Sequence, residues 1–240
     1  MPYDYSEDIL VEQTAIQLLK ELGWETVLAF DAETFGRDGM LGRNGKKEVV
    51  LQKFLFQALK DLNPGLPNEA YQQAIDKLIE YSSSKLLADI NYEKYEWLTN
   101  GIPVDYRTNT GEQIKDYKLR LFDFDEAKNN QFIAVRQLWV EGNYGHKRRP
   151  DIIGFVNGIP LLFIELKATH RNLETAHIHN LKDYKDTIPQ LFHCNAFVIL
   201  SNGIDSKIGS ITGKYEHFHD WKRIQENEEG IVSMETILRG

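Results

Sequence analysis

The chain has 240 residues, 42% of them hydrophobic, and a formal net charge of −8 at pH 7. That is enough apolar content for one large domain. The negative charge argues against a free-standing DNA clamp, because non-specific DNA affinity comes mostly from phosphate neutralisation. The single cysteine, Cys194, excludes an internal disulfide and a cysteine-rich zinc site. No apolar run has membrane length and the N-terminus lacks a signal segment, so we expect a cytoplasmic protein without membrane contact.

The first half of the chain is predicted to be mainly helical. Ser6 can cap a first helix whose opening turn carries Glu7 and Asp8, and Gly23 ends that helix. The elements expected after it are a strand at 24–30, a glycine-rich and charged loop at 31–45, and amphipathic helices at 48–62 and 68–81. Residues 86–98 show a mixed pattern that we leave unassigned.

From residue 117 the pattern changes to that of strands. The expected elements are strands at 118–122, 131–140, 151–156 and 160–168, a helix at 173–188 and a buried strand at 196–200. This order predicts the α/β class, with a mixed central β-sheet flanked by helices and a helical elaboration on its N-terminal side.

The most informative segment places two carboxylates and an amine around one tight turn. Glu165 and Lys167 end an apolar strand, and because strand side chains alternate between faces, both point the same way. Partly buried charges are costly unless they are paired or bound to metal. A Glu-x-Lys tripeptide alone is more simply a structural ion pair. Pro150 and Asp151, at the other arm of the same turn, shift the balance towards a metal-dependent phosphodiesterase.

This segment resembles the PD-(D/E)xK nuclease core, and more narrowly the N-terminal nuclease domain of the motor (R) subunit of type I restriction enzymes. The similar stretches run through nearly the whole chain and include 6–7, 41–43, 59–67, 149–151, 155–158, 160–161, 164–167, 184–192, 201–203 and 218–222. Members of that family usually carry Gln-x-x-x-Tyr on the helix after the lysine. The matching positions here are Asn180 and Tyr184, so the amide is kept but its reach is shorter.

The resemblance implies a restriction-endonuclease-like fold and a domain plan. We expect residues 1–240 to form a single nuclease domain, with a helix-rich elaboration at about 1–115 and a catalytic core at about 116–225. It also implies that the chain is a fragment of a longer protein with a C-terminal helicase-like translocase. Gly213 and Lys214 are followed by Tyr215 and lack the spacing of a nucleotide-binding P-loop, so ATP is expected only for that motor.

Phosphodiester hydrolysis needs stabilisation of negative charge and an activated water, and a divalent cation helps with both. Asp151 and Glu165 supply hard oxygen ligands suited to Mg²⁺, for which Mn²⁺ can substitute. Lys167 would activate the water or neutralise the transition state. The resemblance implies two further ligands, the main-chain carbonyl of Leu166 and an acidic residue of the first helix. Glu7 has that position, although it could instead only favour the helix N-terminus.

Basic residues concentrate beside this motif, although the chain as a whole is acidic. Between residues 143 and 171 there are five lysines and arginines and two acidic residues. An ordinary solvated loop is the alternative for 146–149, but its position before Asp151 favours contact with phosphates of double-stranded DNA. The predicted DNA-contacting residues are Lys147, Arg148, Arg149, Arg171, Asn180 and Tyr184.

Partners implied by the resemblance are the modification and specificity subunits of a restriction complex. Two other functions stay open. One is a PD-(D/E)xK repair or mobile-element nuclease that acts without a translocating partner, which a longer reading frame with helicase motifs would exclude. The other is a non-enzymatic module that docks on DNA or on a methyltransferase core, which would have no reason to bind Mg²⁺ or Mn²⁺.

The register of the hairpin around Asn157 and Gly158 decides whether a metal can touch both carboxylates. A regular two-residue turn would place Asp151 opposite Ile164, on the face away from Glu165. One extra residue in the turn, or a bulge in either strand, restores a shared face. We predict such an offset, formed by a type I turn with Gly158 in the left-handed conformation, and carboxylates within about 4–5 Å of each other.

Overall fold

The computed structural model describes residues 7–221 and 233–239, with side chains from residue 11 onward. The helices in this part of the chain are α1 (Glu7–Glu21), α2 (Gln52–Leu62), α3 (Asn68–Ile79), α4 (Leu87–Asn100), α5 (Leu173–Thr175), α6 (Lys182–Thr187) and α7 (Met234–Arg239). A π-helical turn (Ala176–Leu181) connects α5 to α6. None of the described helices is both long enough and apolar enough to cross a membrane.

The strands of the described part are β1 (Glu25–Leu28), β2 (Ile102–Arg107), β3 (Gln113–Leu119), β4 (Phe132–Arg136), β5 (Val140–Glu141), β6 (Lys147–Arg148), β7 (Ile152–Val156), β8 (Ile159–Leu166), β9 (Phe197–Ser201) and β10 (Ser206–Gly209). Six of them form the central sheet in the order β1-β4-β7-β8-β9-β10. The pairs β1–β4 and β8–β9 are parallel and the others are antiparallel. The predicted mixed α/β sheet is therefore confirmed.

Both faces of this sheet are covered, because neighbouring side chains of its strands enter different hydrophobic clusters. Ile164 packs with Leu19 of α1 on one face. Phe163, one residue earlier, packs with Leu181 and Tyr184 of the helical segment after β8 on the other face. The alternation of strand side chains from Phe163 onward thus puts Glu165 on the side of α6.

A helical elaboration surrounds a third cluster, to which α2, α3, α4 and the β2–β3 hairpin contribute Leu59, Ile75, Leu98 and Ile102. The main-chain N–H of Leu51 donates to the carbonyl of Gly158 at 2.8 Å, and this bond attaches the elaboration to the turn between β7 and β8. It therefore sits directly behind the hairpin that carries Asp151 and Glu165.

Several predicted element boundaries are wrong. The helix α2 begins at Gln52 instead of residue 48, and the helix α4 begins at Leu87 and covers most of the stretch that the pattern left unassigned. The strand expected at 118–122 ends at Leu119, because the side chain of Asn63 accepts from the N–H of Arg120 at 2.9 Å and donates to its carbonyl at 2.9 Å. These bonds occupy the groups that a sheet ladder would use. The predicted N-cap residue Ser6 lies outside the described residues.

Candidate active site

The hairpin between β7 and β8 contains both a regular turn and a bulge. Asn157 and Gly158 have φ values of 51° and 80°, and Val156 pairs with Ile159, as in a two-residue type I′ turn. Farther along, Phe155 pairs with Pro160 but Gly154 pairs with Leu162, so the register shifts by one residue at Leu161. The predicted offset is confirmed, whereas the predicted form, a type I turn with a bulge at Gly158, is wrong.

A contact with the next strand accompanies the bulge. The carbonyl of Leu161 accepts from the N–H of Ala196 at 2.8 Å and from the side-chain amide of Asn195 at 3.0 Å. Both donors precede β9, which runs parallel to β8. The carbonyl of Leu161, the residue of β8 that has no partner in β7, therefore binds the segment that leads into β9. The bulge at Leu161 shifts the register so that Asp151 lies on the same face as Glu165.

Asp151, Glu165 and Lys167 consequently meet at one end of the sheet. The N–H of Leu166 donates to Oδ2 of Asp151 at 2.7 Å, and Nζ of Lys167 donates to Oε1 of Glu165 at 2.6 Å. Glu165 is buried, with 1% of its surface exposed, and Asp151 and Lys167 are partly buried. The structure thus brings together the three residues predicted to be catalytic.

Two residues of the helical segment after β8 complete the surroundings of Glu165. Nδ2 of Asn180, in the π-helical turn, donates to Oε1 of Glu165 at 2.5 Å, so the shorter amide does reach the carboxylate. Tyr184 is buried against Phe163, with ring centres 5.6 Å apart. Burial, followed by the negative charges of Glu165 and Asp151, raises the pKa of Tyr184. Contact of Asn180 and Tyr184 with DNA stays a prediction, since the contact that the structure gives them is with the acidic site.

The electrostatics of this site fit a divalent cation. Burial, and then the negative charge of Glu165, raise the pKa of Asp151, while the Leu166 N–H and Lys167 lower it less. Oε2 of Glu165 is buried and accepts no hydrogen bond from any residue that the structure describes. Two close carboxylates with an unsatisfied oxygen are unfavourable in a buried site unless a cation binds them.

The protein contribution to such a metal shell would be small. Within residues 7–221 and 233–239, no group of three or more histidine, cysteine, aspartate or glutamate side chains is arranged to hold a metal. Asp151 and Glu165 are the two predicted carboxylate ligands whose side chains the structure describes. Leu166 donates its N–H to Asp151, and its carbonyl stays a predicted ligand. The side chain of Glu7, the other predicted ligand, lies outside the described part.

Sequence reasoning missed Glu12, which lies on the buried side of α1 and is 9% exposed. Its carboxylate accepts from Nε of Arg136 at 2.6 Å and from Nε2 of Gln137 at 2.8 Å. Gln137 has a φ of 55° and donates its N–H to the carbonyl of Asp151 at 2.9 Å. Glu12 therefore supports the strand end beside Asp151. Its signal in the sequence is an acidic residue spaced three, four and seven positions before apolar ones of the same helix.

The basic residues predicted to contact DNA have different surroundings. Arg148 donates to both carboxylate oxygens of Asp183 on α6, and Nζ of Lys147 is 3.6 Å from the carboxylate of Glu141. The guanidinium of Arg148 lowers the pKa of Asp183. Arg171 is exposed, and Arg149 is partly buried against aromatic rings. Arg148 and Lys147 thus make structural ion pairs, and their contact with DNA stays a prediction.

Comparison with known proteins identifies the family of this chain. The family described as the type I restriction enzyme R protein N terminus matches residues 4–217. The chain belongs to this family. The resemblance inferred from the sequence is therefore confirmed, and the matched range of the family includes Asp151, Glu165 and Lys167.

Curated relatives of this chain are named as endonuclease subunits of type I restriction enzymes. The type I restriction enzyme HindI endonuclease subunit of Haemophilus influenzae is 36% identical over 96% of this chain and 22% of its own length. The putative type I restriction enzyme MjaIXP endonuclease subunit of Methanocaldococcus jannaschii is 29% identical over 93% of this chain and 21% of its own length. The chain thus spans about a fifth of the length of these relatives.

Proposed function

We propose that this chain is the nuclease domain of a type I restriction enzyme R subunit and that it hydrolyses DNA phosphodiester bonds with a divalent cation. The observation that carries this proposal is the pair of carboxylates on one face, Asp151 and Glu165, with a buried oxygen that lacks a hydrogen-bond partner among the described residues. Membership of the restriction family and the endonuclease names of its relatives support the same assignment.

Asp151 and Glu165 would hold Mg²⁺, or Mn²⁺ in its place, with the carbonyl of Leu166 as a further ligand. The cation supplies positive charge at the phosphoryl oxygens and promotes ionisation of water. Lys167 would take a proton from the attacking water or neutralise charge on the phosphoryl group as the bond to the leaving 3′ oxygen breaks. Asn180 would keep the Glu165 carboxylate oriented through its hydrogen bond.

The larger assembly is part of the proposal. Residues 1–240 would be a single nuclease domain, with its elaboration at about 1–115 and its catalytic core at about 116–225. In the full subunit a C-terminal helicase-like translocase would use ATP to move double-stranded DNA. Modification and specificity subunits would complete a cytoplasmic complex, since the relatives are named as subunits of restriction enzymes.

Cleavage by the full-length gene product, assembled with its partner subunits, tests the catalytic assignment. Asp151→Ala and Glu165→Ala should each abolish cutting of DNA while ATP-driven translocation continues, because both residues would serve only the phosphoryl step. Glu112→Ala removes an exposed carboxylate of the β2–β3 hairpin and should leave cutting unchanged. Wild-type cutting by either active-site variant would contradict the assignment.

Metal titration of the 240-residue chain tests the same site without cleavage. Calorimetry with Mg²⁺ or Mn²⁺ should show binding to the wild type that is lost in Asp151→Ala and Glu165→Ala. A docking module without catalysis would bind neither ion through these residues, so equal heats for wild type and variants would favour that alternative.

A further inference from the structure

Arg149 is held by aromatic rings directly beside the candidate active site. Its guanidinium carbon lies 4.3 Å from the ring centre of Phe30 and 5.3 Å from that of Trp139. The ammonium of Lys46 lies 5.5 Å from the same Trp139 ring. We call Phe30 and Trp139 the aromatic clamp. Contacts of this kind hold a cation by its attraction to the ring faces and do not use its N–H groups.

Strand pairing fixes the clamp relative to Asp151. Residues 132–136 pair antiparallel with 152–156, and residues 140–141 pair with 147–148 in the same register. The short stretch between the two pairs brings Trp139 next to Arg149. Two positions away, the N–H of Gln137 donates to the carbonyl of Asp151. Because Arg149 precedes Asp151 by two residues, their Cα atoms are within about 7 Å. A group bound by Arg149 would therefore lie next to the metal-binding carboxylates.

The guanidinium of Arg149 differs from those of other arginines near the site. Arg43, Arg136 and Arg148 each donate to a carboxylate. Arg149 makes neither a hydrogen bond nor an ion pair with the residues that the structure describes, although it is partly buried. Its five N–H donors lie in one plane and match the geometry of a phosphate group. Such a cation favours an anionic ligand.

The main chain around Trp139 is fixed by the loop between β1 and α2. Nη2 of Arg43 donates to the carbonyl of Trp139 at 3.0 Å, and the same buried guanidinium pairs with Glu33 at 2.6 Å. The N–H of Glu141 donates to the carbonyl of Lys46 at 2.9 Å. These bonds fix the main chain at Trp139 and two residues after it, so the ring is positioned before any ligand binds.

We propose that Arg149 binds a backbone phosphate of the DNA strand being cut, next to the scissile phosphate, and that Phe30 and Trp139 hold its guanidinium for this contact. The inference rests on the proposed nuclease function and adds to it a substrate-positioning residue. The proposal assigns the phosphate contact to Arg149 and not to Arg148 or Lys147, because the charges of those two residues are already paired with Asp183 and Glu141. Contact with phosphate positions the strand without reading its sequence.

The salt dependence of cleavage by the full-length assembled gene product tests this contact. At sub-saturating DNA, Arg149→Gln should cut at least about 10-fold more slowly, and its slope of log rate against log salt should become shallower by about one, because one phosphate contact is lost. Arg149→Lys should keep the wild-type slope at a reduced rate, since the charge remains without the planar fork. Trp139→Leu should fall between the wild type and Arg149→Gln.

Arg107→Gln is the matched control, because it removes an equal charge from an exposed arginine on the β2–β3 hairpin. It should leave both rate and slope unchanged, and ATP hydrolysis should be normal in all variants. A wild-type rate and slope for Arg149→Gln would overturn the proposal. So would a slower rate at an unchanged slope together with a lower melting temperature, the pattern of a purely structural role.

Failure of this inference can be distinguished from failure of the proposed function. Arg149→Gln should bind Mn²⁺ as the wild type does, whereas Asp151→Ala should not. If Asp151→Ala stops cleavage and Arg149→Gln behaves as wild type, the nuclease assignment stands and the phosphate contact is wrong. If Asp151→Ala cuts normally, the nuclease site is wrong, and the inference that depends on it falls with it.

Discussion

Lys167 should be required for turnover but not for metal binding. Its ammonium lies 2.6 Å from Oε1 of Glu165, and 23% of its side chain is exposed. In Lys167→Ala we expect DNA cleavage to fall about 10²–10⁴-fold, the range for removal of one positioned acid–base group. At 1.36 kcal/mol for each tenfold change, this is a barrier increase of about 3–5 kcal/mol. Mn²⁺ affinity should stay equal or rise, because the ammonium and the metal compete for the same carboxylate.

The assay compares single-turnover cleavage by the assembled gene product with Mn²⁺ calorimetry of the 240-residue chain. Lys207→Ala is the control, because Lys207, on the edge strand β10, also has 23% of its side chain exposed and pairs with Asp220 at 2.7 Å. It should leave both measurements unchanged. Wild-type cleavage by Lys167→Ala would refute a catalytic role, and loss of Mn²⁺ binding would show that Lys167 instead maintains the metal site.

Three further predictions concern the hairpin turn, the amide on Glu165 and the acidic charge of the chain. Gly158→Ala should lower the free energy of unfolding in urea by more than about 1–3 kcal/mol, because φ is 80° and the new Cβ would lie 2.5 Å from a main-chain carbonyl. Gly111→Ala, with φ of 87° and nothing within 4 Å, should show the backbone strain alone, and equal losses would contradict the clash. Asn180→Ala should slow cleavage about 10-fold with little change in melting temperature, since Glu165 loses an orienting hydrogen bond; an unchanged single-turnover rate would argue against this role. The isolated 240-residue chain should cut plasmid DNA weakly or not at all, because its net charge of −8 disfavours DNA. Fast Mg²⁺-dependent digestion by this chain would favour a free-standing nuclease.

The sequence predicted best where apolar periodicity alone decides the structure. The strands β7 and β8 are strongly apolar, and alternation along β8 was enough to place Glu165 and Lys167 together. The helix α4 was not recognised, because its buried side contains Lys94 between Ile90 and Leu98. The ammonium of Lys94 is accommodated by the carbonyls of residues 77 and 80, at 2.8 and 2.6 Å. A periodicity pattern does not show that residues distant in the sequence provide hydrogen bonds to a buried charge.

The position of the bulge could not be predicted for a similar reason. Local turn chemistry at Asn157 and Gly158 allows either a two-residue turn or a turn with a bulge. The structure combines the regular turn with a bulge at Leu161, whose carbonyl bonds to Asn195 and Ala196, residues far along the chain. Asp151 and Glu165 must lie on one face to bind the same metal, and this requirement predicted a register offset in the hairpin. The location of the offset depends on the contact of Leu161 with residues 195 and 196, which local turn chemistry does not reveal.

The distribution of charge suggests how cutting by such a domain would be restrained. Of the three basic residues at 147–149, Lys147 and Arg148 are paired with acidic residues, whereas the N–H groups of Arg149 have no acceptor in the described part of the chain. One or two phosphate contacts on an acidic chain give little DNA affinity by themselves. They would be sufficient to align a strand that another part of the proposed assembly holds. Cleavage would then depend on delivery of DNA to the site, and the weak intrinsic affinity of the domain would limit cutting to DNA that the complex has engaged.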